Sequence, residues 1–210
     1  MLTHSHDVPA PSSEQHFAII LAAGFSTRMG VCKTTLLLHN IQTLLRYQTE
    51  QFSQAGIKPV DVLCAHNAHR QTDCAVGTDV VVKEGGEHSK THSILTGLYR
   101  LPVTASTITI SAVDQPRSAA VYETLIQAHQ QKKTLITTPS YGGKLGHPVT
   151  FTHRLRPELE NISDESLGLR QVIQANYAEI HQVAFSTAEV MVDINDERAY
   201  KLYRSDLRHS

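Results

Sequence analysis

Short apolar runs rich in β-branched residues alternate along the chain with stretches whose apolar positions recur at helical spacing. The runs are FAIILAA (17–23), VDVLCA (60–65), DVVV (79–82), TITISAV (107–113) and TLITT (134–138). After the first of them, Ile41, Leu44, Leu45, Phe52 and Ala55 fall on one face of a 3.6-residue period, and near 118–130 Val121, Leu125 and Ala128 do the same. Each such helix has one face to bury. Strands apolar on both faces, separated by one-sided helices, predict an α/β fold with a mainly parallel sheet covered by helices on either side. Ligands of such folds gather outside the carboxyl ends of the strands.

Two segments break the alternation. PSYGGKLGHPVTF (139–151) contains Gly-Gly and Gly-His-Pro followed by a second β-like run, which predicts an irregular excursion or antiparallel ribbon over the sheet. The tail from Asp196 reads as a terminal helix. Residues 1–15 are rich in Pro, Ser and His without an apolar period and read as a flexible N-terminal arm, so the fold starts near Phe17 and residues 16–210 form a single domain. A chain of 210 residues is long enough to bury a stable core unaided.

Charge narrows the range of partners. With 19% charged residues and a formal net charge of −1, no global positive field exists to hold a nucleic-acid backbone or an anionic membrane. No stretch approaches the roughly 20 apolar residues of a membrane helix, and the first residues lack a signal-peptide apolar run, which predicts a cytoplasmic protein. Cys32, Cys64 and Cys74 match no zinc or redox spacing and read as reduced thiols. The pairs His66/His69 and His88/His92 have helical spacing but no third ligand nearby, which argues against a metal site there.

Four constellations carry candidate chemistry. Leu21-Ala22-Ala23-Gly24-Phe25-Ser26-Thr27-Arg28-Met29-Gly30-Val31-Cys32-Lys33 follows the first predicted strand, and its small residues let backbone N–H groups approach a phosphate while Arg28 and Lys33 add positive charge. It is neither a Walker A loop nor the G-x-G-x-x-G fingerprint. Asp114, in SAVDQPR, stands at the end of an apolar strand facing the same crevice, where a carboxylate suits Mg²⁺ and a helix N-cap is the plainer reading. Asp193, in VDIND, follows another run that reads as β, with an Asx turn opening the last helix as its alternative. In Gly146-His147-Pro148 the proline restricts His147 to extended backbone and presents its ring at a loop tip.

Together these residues resemble one family. LAAGFSTRMGVCK resembles the LAAGxSxRMGxxK signature of the MobA-like molybdopterin nucleotidyltransferases, especially the molybdenum cofactor cytidylyltransferase branch. Ser93-Ile94-x-x-Gly97-Leu98 resembles the family's Ser-Leu-x-x-Gly-Leu helix start, Asp114-Gln115-Pro116 its aspartate motif, Gly146-His147-Pro148 its acceptor loop and Asp193-Ile194 its terminal Asp-Ile-Asp segment. The likeness spans roughly residues 17 to 200. It implies a Rossmann-like three-layer nucleotidyltransferase domain in which the acceptor phosphate attacks the α-phosphorus of an NTP and pyrophosphate leaves. By resemblance, Leu21, Ala22, Ala23, Gly24 and Ser93 bind the nucleotide, Arg28 and Lys33 neutralise its phosphates, Asp114 holds Mg²⁺ with Asp193 or Asn195 as second ligand, and Gly146, His147 and Pro148 meet the acceptor.

The implied partners are an NTP, a phosphorylated pterin, and a molybdoenzyme client or its chaperone. CTP is expected over GTP because the guanylyl branch typically has a second glycine where Ala23 stands, and a methyl there crowds a purine. The chain departs from the family at Ser89-Lys90, where Gly-Met is usual, and at Asp164–Arg170, where Gly-Asp-x-Gly-x-Arg is loosened, so base and acceptor stay open. The alternatives are guanylyl transfer to the same cofactor, and transfer to a sugar or alcohol phosphate on the shared fold. A Rossmann oxidoreductase needs a glycine-rich turn that the loop lacks. A non-catalytic paralogue is disfavoured because Lys33 and Asp114 are both present.

Overall fold

The structure, a computed structural model, describes residues 14–24, 29–38, 42–84 and 89–206. In chain order they form β1 (His16–Leu21), β2 (Leu37–Leu38), β3 (Gln42–Thr43), α1 (Leu44–Gln54), β4 (Lys58–Cys64), β5 (Asp79–Lys83), α2 (Lys90–Arg100), β6 (Thr107–Ala112) and α3 (Ala119–Lys132). There follow β7 (Ile136–Tyr141), β8 (Lys144–Leu145), β9 (Val149–Thr152), α4 (Arg156–Glu160), α5 (Leu169–Ala175), β10 (Ile180–Ala184) and α6 (Glu197–Asp206). The main sheet runs β10-β7-β9-β6-β1-β4-β5, with β8 paired to β7. Its β1–β4, β1–β6, β4–β5 and β7–β10 ladders are parallel. The mainly parallel α/β architecture expected from the sequence is what the chain adopts.

β1 shows why the strands are apolar throughout. Its alternate residues serve two cores: Phe17 and Ile19 pack with Val60, Val62, Ile94 and Leu98 on one face, and Ala18 and Ile20 pack with Leu44, Leu45, Phe52 and Leu63 on the other. α2, α4 and α5 cover the first face, and α1, α3 and α6 the second, giving three layers. α1 starts where Thr43 accepts a hydrogen bond from the Arg46 N–H at 3.2 Å, and it ends at Gly56, whose φ of 72° suits a residue without Cβ. Phe52 of α1 stacks on Tyr122 of α3 with ring centroids 3.8 Å apart, tying the two helices together over the sheet. Gly97 sets the approach of α2, because a Cβ there would come within 2.5 Å of Ile19 Cγ2.

The excursion at 139–151 is a ribbon, as its turn residues predict. The chain leaves β7, turns at Gly142-Gly143 (φ 56° and 76°), and returns through β8 to β9. β9 then inserts antiparallel between β6 and β7, with Thr109 and Thr150 joined by a 2.9 Å hydroxyl contact. The run before Asp193 is not β: Ala188–Met191 form a 3₁₀ turn and residues 192–195 lie outside regular structure. The last helix starts after Asp196, whose Oδ1 accepts the Ala199 N–H at 2.8 Å.

One buried acid lies away from the strand ends. Asp61 in β4 is fully buried with the Cys74 thiol 3.4 Å from Oδ2, and burial raises its pKa to about 7. A folded-state pKa above the unfolded value makes the acid's contribution greatest below pH ~4, and it is lost as pH rises towards 7, at about 1.4 kcal/mol per pH unit. Asp61→Asn is therefore expected to gain stability relative to the parent protein across that window. Melting curves at pH 5 and pH 8 check this, and a difference that does not grow with pH would refute it.

Candidate functional site

Three parallel strands deliver their carboxyl ends to one crevice. Past β1, the Ala22 N–H continues the ladder to Val62 O at 3.0 Å, and past β6 the Val113 N–H bonds Leu21 O at 3.1 Å. The small-residue loop and the acid after β6 thus emerge side by side. Asn67, almost wholly buried, fixes the loop from the β4 side: its Nδ2 donates to Ala22 O at 2.8 Å and its Oδ1 accepts the Cys64 N–H at 2.9 Å. Gln48 fixes the β6 end, its Nε2 lying within 3.1 Å of Ser111 Oγ, Ala112 O and Gln115 O.

A cavity of about 230 Å³ opens between these ends. Leu21, Ala22, Ala23, Gly24, Lys33, Ser93 and Asp114, all singled out in the sequence, line it together with Asn195. A Cβ on Gly24 would meet no protein atom within 4 Å, so the space beside it belongs to the cavity. Lys33 Nζ donates to Asp114 Oδ2 at 2.5 Å and to Asn195 Oδ1 at 3.1 Å. Asp114 does not cap α3. Ser118 holds the N-cap position, and the Ser118 and Ala119 N–H groups donate to Glu189 Oε1 and Gln51 Oε1. Arg28 lies outside the described residues, as do Ile41, His88 and most of the N-terminal arm.

A second cavity of about 630 Å³ adjoins the first along α2 and is lined by His147, Asp193, Asp164 and Arg170 over a floor that includes Ile110 and Val149. Asp193, expected beside Asp114, thus opens on this second space while Asn195 faces the first, although the Ile194 N–H bonds Asp114 O at 2.8 Å and keeps the segments together. Of Gly146-His147-Pro148 only His147 lines the cavity. Gly146 and Pro148 are buried, and Gly146 is needed because a Cβ would come within 2.4 Å of Val190 O. His147 does not project freely from a loop tip, since its N–H is tied to Val190 O at 3.1 Å. Desolvation, then the positive charges of Arg117 and Lys90, lower its pKa against the opposing pull of Asp193 and Asp114. The ring is accordingly neutral at pH 7 and acts as a hydrogen-bonding group.

Arg117 organises the whole arrangement, though no motif marks it for a role. It is fully buried; its Nε donates to His147 O (3.0 Å), Nη1 to Pro116 O (2.7 Å), and Nη2 to Val190 O (2.9 Å) and Val192 O (2.8 Å). One guanidinium thereby fastens the β6 end, the His147 loop and the segment leading to Asp193 and Asn195. A charged residue five positions past an apolar strand end, behind a proline, was the available signal. Gln48 offered another, as an amide on the apolar face of α1; Asn67 offered none.

For a hard divalent cation the donor set fits. Asp114 supplies a carboxylate, Asn195 an amide oxygen beside it and Asp193 a second carboxylate on the same chain turn, and a small cation of this kind needs only one or two carboxylates plus substrate phosphates. Among the described residues no group of three or more His, Cys, Asp or Glu side chains gathers to hold a metal by protein ligands alone.

The family model of the MobA-like NTP transferase domain matches residues 18–183, from β1 into β10. The chain belongs to the MobA-like NTP transferases. Similar solved structures agree. Rv0371c from Mycobacterium tuberculosis H37Rv is 25% identical with a TM-score of 0.79, over 93% of this chain and 100% of that one, and it has also been solved in complex with manganese. A nucleotidyl transferase from Methanothermobacter thermautotroptrophicus, 20% identical, has a TM-score of 0.76 over 93% and 99% of the two chains. The 4-diphosphocytidyl-2C-methyl-D-erythritol synthase of Anaerococcus prevotii shares the fold at 13% identity, with a TM-score of 0.73 over 93% and 96%. No curated protein matches the sequence. As a MobA-like NTP transferase the chain is a nucleotidyltransferase, and among its described residues no helix is long and apolar enough to cross a membrane.

Proposed function

We propose that the protein transfers CMP from CTP to the phosphate of molybdopterin, releasing pyrophosphate, in the cytoplasm and ahead of delivery to a molybdoenzyme or its chaperone. One observation carries this reading: two contiguous cavities meet at the strand ends, one holding Lys33, Asp114 and Asn195, the other His147, Asp193 and Arg170. In the reaction an oxygen of the acceptor phosphate bonds to the α-phosphorus, the bond from that phosphorus to the bridging oxygen breaks, and the electron pair leaves on pyrophosphate. The nucleophile is already an anion, so no residue has to remove a proton.

The side chains align and neutralise. Loop residues 22–24 receive the triphosphate, and Lys33 offsets charge that grows on the leaving group. Asp114, with Asn195 or Asp193, would hold Mg²⁺, which when bound supplies charge neutralisation to the phosphates. His147 hydrogen-bonds the acceptor from the far wall. Incubation with each NTP, Mg²⁺ and molybdopterin, with mass analysis of products, should give the cytosine dinucleotide and pyrophosphate. Product from a sugar or alcohol phosphate but none from the pterin would move the acceptor to that class.

Base choice is read from Ala23, whose methyl sits buried at the cavity wall where a purine would be crowded. Equal CTP and GTP in competition should therefore yield mainly the cytosine product, and a mainly guanine product would overturn the assignment. Lys33→Ala should slow turnover by ~10² to 10³, the usual worth of a preorganised charge donor. Cys32→Ala should change little, because the Cys32 thiol meets Thr34 Oγ1 at 3.0 Å and Asn67 Nδ2 at 3.8 Å and does not line the cavity. Equal pyrophosphate release from the two variants would show that the loop has been misread.

A further inference from the structure

We propose that Lys90 binds the acceptor's phosphate at the junction of the two cavities, making the preferred acceptor a phosphomonoester with an aromatic body. This rests on the nucleotidyltransfer reading above, which assigns the smaller cavity to the nucleotide. Lys90 opens α2 behind the N-cap Ser89, whose Oγ accepts the His92 N–H at 3.0 Å. Three described residues line both cavities, Leu21, Lys90 and Ala112, and only Lys90 among them is charged.

The electrostatic requirement is direct. In-line transfer brings an acceptor phosphate against a triphosphate, and like charges a few ångströms apart repel strongly in a partly desolvated cleft. A cation between them offsets that repulsion. Lys33 is committed on the nucleotide side to Asp114 and Asn195, and Arg170 borders the larger cavity alone. Lys90 stands where the two anions must meet. Its charge acts on the His147 ring together with those of Arg117, Asp193 and Asp114.

Lys90 is exposed, but the wall it stands on is fixed. Asp164 accepts hydrogen bonds from Thr91 and Ser89 on either side of it, and those bonds hold the carboxylate below the usual range. Gly168, at φ 56°, packs so near Thr91 that a Cβ would lie 2.7 Å from its Oγ1. The loop carrying Asp164 is therefore pinned to the first turn of α2. Asp164 and Asp193 also line the larger cavity and would repel an anion placed beside them, which confines the phosphate to the Lys90 end. Ile94, Ile110, Val149, Leu169 and Ile173 give that space apolar walls that suit a flat aromatic body, with Gln115, His147 and Arg170 as polar groups at its edge.

The test compares Lys90→Met and Lys90→Arg with the parent protein, using phenyl phosphate as acceptor probe and α,β-methylene-CTP with Mg²⁺ as nucleotide probe, both by calorimetric titration. Phenyl phosphate is titrated with and without the nucleotide analogue. The expected result is an affinity for phenyl phosphate that falls about tenfold or more in the methionine variant and returns in the arginine variant, as for a lost charge-assisted hydrogen bond. Affinity for the analogue alone should shift less than about twofold, well under the effect of losing such a bond. Unchanged phenyl phosphate binding in the methionine variant, no binding by the parent protein, or an equal loss of both probes would overturn the proposal. Failure of the parent protein to bind the nucleotide analogue sinks the nucleotidyltransfer reading instead, and the arm without nucleotide then still decides whether Lys90 binds phosphate.

Discussion

Asp114→Asn should abolish pyrophosphate release while leaving the fold intact. The amide keeps the size of the carboxylate and still offers an oxygen to Lys33 Nζ, now 2.5 Å from Asp114 Oδ2, and Lys33 retains Asn195 Oδ1 at 3.1 Å. What disappears is the negative charge that would hold Mg²⁺ against the triphosphate. The capping explanation has lost its ground, since Ser118 occupies the N-cap of α3. Turnover should fall by at least ~10², with partial rescue by raised Mg²⁺ and little change in melting temperature. An asparagine variant with near parental turnover would move the metal elsewhere, and Asp193 would be the next residue to test.

Arg117→Met should produce the largest loss of stability of any single change in the site. The thioether fills part of the volume but leaves the carbonyls of Pro116, His147 and Val192 without their donor inside the protein, and Val190 O with the His147 N–H alone. Removing one side of a buried charged network typically costs roughly 3–5 kcal/mol. Arg117→Lys should recover little, because an ammonium cannot reproduce a planar fork that reaches three segments. Denaturant midpoints measure the loss, and kinetics at a temperature where the variant stays folded should show a raised acceptor KM. A cost below about 1 kcal/mol would mean that other groups satisfy those carbonyls and that Arg117 does not hold the loops.

These two residues mark how far the sequence could be read. Strands are legible because burial on both faces leaves an unbroken apolar run, and each expected run begins within two residues of a strand's start. The loop after β1 and Asp114 are legible because small residues, cations and an acid stand out at strand ends. Arg117 is less so: its function lies in bonds to carbonyls 30, 73 and 75 positions away, which local spacing does not encode. Asn67 and Gln48 act in the same way, through the loop carbonyls they hold. The run before Asp193 has β-like composition, yet its backbone is drawn into a 3₁₀ turn, and the carbonyls of Val190 within it and Val192 just after it serve Arg117. There the tertiary bonds outweigh local propensity.

The antiparallel insertion of β9 divides the sheet into two compartments with separate histories of constraint. On one side, β1, β4, β5 and β6 are locked in parallel register beneath the nucleotide loop. On the other, the ribbon of β7, β8 and β9 shapes the wall that carries His147. The return strand touches the first compartment through the side of β6 alone, so the exposed residues 142–145 behave as an exchangeable cassette: their chemistry can vary without disturbing a single ladder bond beneath the loop after β1. A scaffold of this kind can keep one leaving group and change its clientele.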